Sequence, residues 1–212
     1  MIATGASGFG LMALIVGVER DFIERKEFLD RMEKILGFIE KGDRFQGALA
    51  HFMDGPTGRA EPFFGAVDNG GDLVETSFFM QGLLTVKQYL SEEVPAEKAL
   101  RDRITAIWEA VEWDWYKQFE NSNYLYWHWS PDHQWQIDHR LIGWNETLIT
   151  YFLAIASPTH SVGPEMYYSG WASQDSIARN YRSAWGQTMD GTMYSNGETY
   201  HGIILDVGVG KG

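Results

Sequence analysis

Apolar residues recur at helical spacing along most of the chain, and two kinds of helix alternate. Phe9, Met12, Ala13, Val16 and Phe22 mark one helix between Ser7 and Ile23, and Phe28, Met32, Ile35, Leu36 and Ile39 mark a second over Glu27 to Lys41, closed by Gly42. The same spacing predicts a third helix over Leu73 to Leu90 and a fourth over Pro95 to Phe119, with proline where a first helical turn tolerates it. A fifth runs from Asn145 to Ala156 and stops before Ser157-Pro158; a sixth is expected from Asp175 to about Trp185. Two long connections interrupt the series. Gly and Pro punctuate the first, Gly55 to Gly71, and aromatic residues crowd the second, Glu120 to Gly143. Connections of that length in a packed domain usually carry function.

Helices one, three and five have small or Gly-containing starts and almost wholly apolar bodies, so they should be buried on all sides. Helices two and four (ERKEFLDRMEKI and AEKALRDRITAIWEAVEW) are charged on one face and should meet solvent there. Glu75 in GDLVETSFFMQGLL and Glu146 in GWNETLITYFLA occupy matching places at the starts of apolar helices about 70 residues apart, the mark of a repeating two-helix unit. An all-α fold of two concentric helical layers follows. The inner helices would share one end for their N-termini.

Composition narrows the function. With 212 residues, 44% of them hydrophobic, the chain is an ordinary globular one, and it is read as a single domain over 1–212. A formal charge of −12 repels a phosphate backbone, which excludes nucleic acid as a partner. The longest apolar run, Phe9 to Val18, is about half of what a bilayer span requires, so no membrane association is expected. No basic segment precedes that run and Glu19-Arg20 follows it, so it does not read as a secretory signal; an exported protein would carry its signal outside this chain. The absence of Cys removes thiolate metal sites and thiol nucleophiles. An aromatic content of 15% exceeds what a small core needs and suggests rings lining a cleft for sugars or similar ligands.

The strongest chemical constellation is Asp68, Asp72 and Glu75, three carboxylates within eight residues at a loop-to-helix junction, with Glu146 at the corresponding junction one unit later. Carboxylates paired across a cleft are what glycosidic cleavage requires, one protonating the leaving oxygen and the other activating water or attacking carbon. The spacing of Asp72 and Glu75 is equally that of a capping box, in which case the acids only stabilise a helix start. A helix N-terminus favours the ionised forms, so a general acid here needs burial to raise its pKa; Trp144 beside Glu146 can supply it, and Glu146 is the preferred acid. In the aromatic connection, Tyr124, Tyr126, Trp127, Trp129 and Trp135 alternate with His128, Asp132, His133, Asp138 and His139. This mixture can stack on sugar rings and bond their hydroxyls, although half of the rings can equally roof the helices. His133, Asp138 and His139 lack the helical spacing of a catalytic zinc motif, and neither a metal nor an organic cofactor is expected. The segment Gly208 to Gly212 lacks the first glycine and the Ser or Thr of a phosphate loop, and no Gly-x-Ser-x-Gly occurs.

The blocks ATGASGFGLMALIVGVER, DNGGDLVETSFFMQGLLT, VEWDWY, LYWHWSP, GWNETL and ASPTH resemble, in order, the bacterial glucoamylase-like glycoside hydrolases that include endo-β-1,2-glucanases. The resemblance implies a single (α/α)6 barrel with its cleft at one end, and hydrolysis of β-1,2-linked glucan with inversion. It places Asp68, Asp72 and Glu75 on the family's acidic block and Glu146 on its GWNE acid. Tyr126, Trp127, His128, Trp129, Trp135 and Trp144 would hold the sugar. It also implies a periplasmic or secreted protein with no specific protein partner. A transglycosylating domain of the cyclic β-1,2-glucan synthase type and a non-catalytic carbohydrate-binding remnant are the alternatives. Three hairpins are half of such a barrel, so the chain reads as an internal fragment whose inner helices expose apolar flanks.

Overall fold

The computed structural model describes residues 1–143 and 145–173, together with the backbone of two short strands at 193–195 and 198–200. Trp144 and the sixth helix expected from Asp175 lie outside the described residues. Five α-helices form the frame: α1 (Thr4–Glu19), α2 (Arg25–Ile39), α3 (Leu73–Tyr89), α4 (Pro95–Glu109) and α5 (Leu148–Ala156). Strands of two or three residues punctuate them: β1 (Ile2–Ala3), β2 (Phe52–Met53), β3 (Gly71–Asp72), β4 (His128–Trp129), β5 (Met193–Ser195) and β6 (Glu198–Tyr200).

The two expected layers are present. α3 packs between α1 and α5, and the amphipathic α2 and α4 lie together outside them. α2 turns Phe28, Met32, Leu36 and Ile39 inward and α4 contributes Leu100, Ile104 and Ile107, all buried. Across the outer layer Arg25 grips Glu97 through two hydrogen bonds of 2.8 and 2.6 Å, while Arg103 reaches both Glu40 and Glu33. The inner crossing is closer. A Cβ on Gly8 would overlap the Phe78 carbonyl, and one on Gly82 the Gly8 carbonyl, so α1 and α3 meet backbone to backbone. On the other side of α3, the hydroxyls of Ser77 and Thr150 meet at 2.9 Å and tie it to α5.

Each of the first two inner helices is entered from a short strand that pairs with the strand leaving the same hairpin. β1 pairs with β2 (Ala3 opposite Phe52) and β3 with β4 (Asp72 opposite His128), both antiparallel. The first helical N–H groups are then satisfied by the returning chain: Thr4 N donates to His51 O at 3.1 Å and Leu73 N to Trp127 O at 2.8 Å. Strand, helix, helix and strand therefore repeat as a unit, and the ends of β1 to β4 gather where α1 and α3 begin.

Several boundaries differ from the sequence pattern. α1 starts at Thr4 and ends at Glu19, because Asp21 adopts φ 57° and Phe22 is exposed. α4 ends at Glu109, ten residues before the predicted end: Glu112 N donates to Gln46 O at 3.0 Å, and a 3-10 turn (Trp113–Lys117) takes over. α5 begins at Leu148, since Asn145 Oδ1 accepts from both Thr147 N (3.2 Å) and its hydroxyl (2.6 Å) and holds a turn there. Glu146 therefore precedes its helix, whereas Glu75 is the third residue of α3, and the two places match less closely than the sequence suggests.

Candidate active site

Gly70 and Gly71 let β3 press against its neighbours. A side chain on Gly70 would strike the Trp129 carbonyl, and one on Gly71 the Tyr116 hydroxyl. That close approach delivers Asp72 to the start of α3, fully buried, with a side chain that accepts three donors or near-donors. Its Oδ1 takes the Glu75 N–H at 2.8 Å, which is the capping interaction. Its Oδ2 takes the Trp127 indole N–H at 2.6 Å and lies 3.0 Å from His51 Nδ1, a contact off the line of a well-formed hydrogen bond. Capping and clustering thus coexist at one residue.

Glu75 leans the other way. Its Oε2 accepts the Gly5 N–H at 2.7 Å, so the carboxylate caps α1 from the neighbouring helix, and Gly5 is small because a Cβ would sit 2.7 Å from that oxygen. Its Oε1 faces His51 Nε2 at 3.9 Å. Asp68 is buried on the connection before β3. Its Oδ2 receives the Phe64 N–H at 3.5 Å, and its Oδ1, without a hydrogen-bond partner, lies 3.8 Å from the equally unpartnered Nε2 of His128.

Burial pushes the Asp68 and Glu75 carboxyls up, and the neighbouring Asp72 pushes both further. For His51, burial opposes the charged ring, but the Asp72 contact and the charges of Asp72, Glu75 and Asp68 prevail and raise its pKa; burial lowers that of His128. The group therefore sets two carboxyls that hold their protons more firmly than free ones beside the hydrogen-bonded Asp72, and acid–base chemistry at an acetal uses carboxyl groups of unequal proton affinity. Among the described residues, His, Asp and Glu side chains form no group of three that could hold a metal ion.

The structure therefore brings Asp68, Asp72, Glu75, Trp127 and His128 into one cluster. Trp129 borders it, opposite Gly71, with its indole edge-on to Trp115. Tyr126 is buried, its hydroxyl accepting from Arg140 at 3.2 Å, and Trp135 packs edge-on against Tyr116 and Tyr126. Glu146 is exposed in the turn before α5, where its charge acts on His139. Trp144 lies outside the described residues. His51 is the residue the sequence pattern missed. The signal was positional: it follows α2 as Trp127 follows α4, and each gives its carbonyl to the first turn of an inner helix.

The sequence profile of the Glycoamylase family matches residues 138–208. An exo β-1,2-glucooligosaccharide sophorohydrolase (non-reducing end) of Parabacteroides distasonis is 60% identical over all 212 residues. The chain is thus similar to the glucoamylase-like family. It spans 29% of the length of that curated relative. The crystal structure of a β-1,2-glucanase from the same organism superposes with a TM-score of 0.85 at 60% identity, over 95% of this chain and 29% of that one. An endo-β-1,2-glucanase from Chitinophaga pinensis, solved with sophorotriose and glucose, gives 0.78 at 47% identity, over 93% of this chain and 44% of its own. The glucoamylase-like helical hairpins described above are accordingly part of an (α/α)6 barrel.

Proposed function

We propose that this glucoamylase-like chain contributes the acidic side of a glycoside hydrolase site that cleaves β-1,2-glucan with inversion. One observation carries the reading: the convergence of Asp68, Asp72 and Glu75 at the paired N-termini of α1 and α3, two of them with raised pKa, with His51 facing Asp72 and Glu75 and the Trp127 indole on Asp72. Glu146 is retained as the candidate general acid, entering from the turn before α5, with Trp127, His128, Trp129, Trp135, Tyr126 and Trp144 toward the sugar. The names of the relatives supply the substrate class, and the higher identity to the sophorohydrolase favours exo release of disaccharide over internal cleavage. A periplasmic or secreted location belongs to the same proposal, on family likeness alone.

The test is product analysis on linear β-1,2-glucan, with starch as control, by the protein at the full length of its relatives and by its Glu146→Gln and Asp72→Asn variants. Disaccharide released from β-1,2-glucan alone, with kcat reduced at least about a hundredfold in both variants, is the expected result. A ladder of longer products overturns the exo assignment. Full activity in Glu146→Gln removes that residue from the chemistry.

A further inference from the structure

Three carboxylates crowd the entrance of α3, and among the described residues the basic side chains paired with them are two imidazoles, His51 and His128. His51 is held on every side. Its ring stacks on Phe52 at 4.6 Å and meets Phe64 and Trp127 edge-on at 5.0 and 6.2 Å, while its carbonyl is fixed by Thr4 N. The two nitrogens face different acids, Nδ1 toward Asp72 Oδ2 at 3.0 Å and Nε2 toward Glu75 Oε1 at 3.9 Å. Every other oxygen of that pair already has an N–H donor: Glu75 N and the Trp127 indole for Asp72, Gly5 N for Glu75. Glu75 Oε1 is the oxygen left over, and its side chain is 20% exposed while that of Asp72 is wholly buried.

We propose that His51 is a positioning residue that bridges Asp72 and Glu75, fixing the Asp72 carboxylate with one ring nitrogen and aiming the open Glu75 oxygen at bound sugar with the other. The proposal rests on the glycosidase reading of the same cluster. The titratable groups facing the ring are Asp72 and Glu75 from α3, Asp68 from the preceding connection and His128 from β4. The charges of the three acids raise the His51 pKa above the ordinary imidazole value, against the opposing effect of burial. As pH rises through that raised value the bridge loses its charge, and Asp72 and Glu75 face each other without a cation between them.

The experiment uses the full-length protein in three forms, wild type, His51→Gln and His51→Phe, the last keeping a ring between Phe52 and Phe64. Steady-state rates on β-1,2-gluco-oligosaccharide are measured from about pH 5 to about pH 9. Imidazole signals are titrated by NMR in wild type, Asp72→Asn and Glu75→Gln. Expected are a kcat at least about tenfold lower in His51→Gln with KM within about twofold, and loss of the alkaline limb of the wild-type profile. His51→Phe should melt within a few degrees of wild type yet be as impaired. The His51 signal should titrate above the ordinary imidazole value and fall back in Asp72→Asn. A His51→Gln profile superimposable on wild type, or a His51 titration indifferent to both acid variants, overturns the proposal. If the wild type releases nothing from the glucan, the glycosidase reading fails, while the NMR titration still decides whether the bridge exists.

Discussion

Trp127 shows that one side chain can carry two roles. Expected to hold sugar, it also spends its indole N–H on Asp72 at 2.6 Å and is half buried. Trp127→Phe keeps most of the ring and loses the bond, and because the acceptor is a carboxylate the expected cost is about 1.5–3 kcal/mol in urea unfolding, at unchanged m-value. A loss below about 0.5 kcal/mol would make the contact incidental. The pH dependence of stability follows from the same cluster. Asp68, Glu75 and His51 all have folded-state values above their ordinary ones, so each contributes stability that is full below the unfolded pKa and is lost as pH rises through the folded one. The carboxyls act above about pH 4 and His51 above about pH 6.5. His128 and His139, whose values burial lowers, act in the opposite sense below about pH 6.5, so thermal midpoints should fall from neutral to alkaline pH. Asp68→Asn removes one of these contributions and should raise stability near neutrality by about 0.5–2 kcal/mol; a lower midpoint in that variant would show Asp68 to be structural. The three acids were legible because eight residues of sequence contain them all and one has cap spacing. His51 was not, because its partners lie across a hairpin and no local pattern marks HFMDGP.

At the scale of elements, glycine decides how the inner helices meet. The apolar, nearly patternless body of α1 announces burial but not which side touches what, and Gly8 and Gly82 settle that by allowing backbone contact with α3. Gly8→Ala places a methyl against the Phe78 carbonyl, a neighbour that cannot rotate away, so overpacking should cost about 1–3 kcal/mol or more. Because α1 also presents Gly5 N to Glu75, the same substitution should lower kcat in the full-length protein, although Gly8 touches no acid. Gly10, whose Cβ would meet nothing, is the control, and Gly10→Ala should be neutral or slightly stabilising. Equal losses in both variants would place the effect in helix propensity rather than in the crossing. Helix identity and layer assignment were readable from periodicity. The early end of α4 and the late start of α5 were not, because each is set by a tertiary or side-chain bond, Glu112 N to Gln46 O and Asn145 to Thr147.

Over the whole molecule, the inner layer is apolar on more sides than the described residues cover. α1 leaves Phe9 and Val16 more than half exposed, and α5 does the same with Phe152. Between α1 and α2 a groove of about 410 Å³, lined by Leu11, Leu14, Ile35, Phe38 and Phe79 among others, contains no carboxylate and lies in the wall rather than at the acids. In a closed ring of inner helices such flanks meet neighbours, and the length of the relatives leaves room for them. The 212 residues alone should therefore self-associate or bind a hydrophobic dye. Sedimentation should show species heavier than the 24.2 kDa chain, and Phe9→Lys combined with Val16→Lys should shift them toward monomer without loss of helix signal. The protein at the full length of its relatives should bind little dye. A dye-silent monomer of the short chain would overturn this expectation. That outcome would move the boundary of the independently folding unit, while the cluster at the starts of α1 and α3, whose contacts fall within residues 1–143, would stand unchanged.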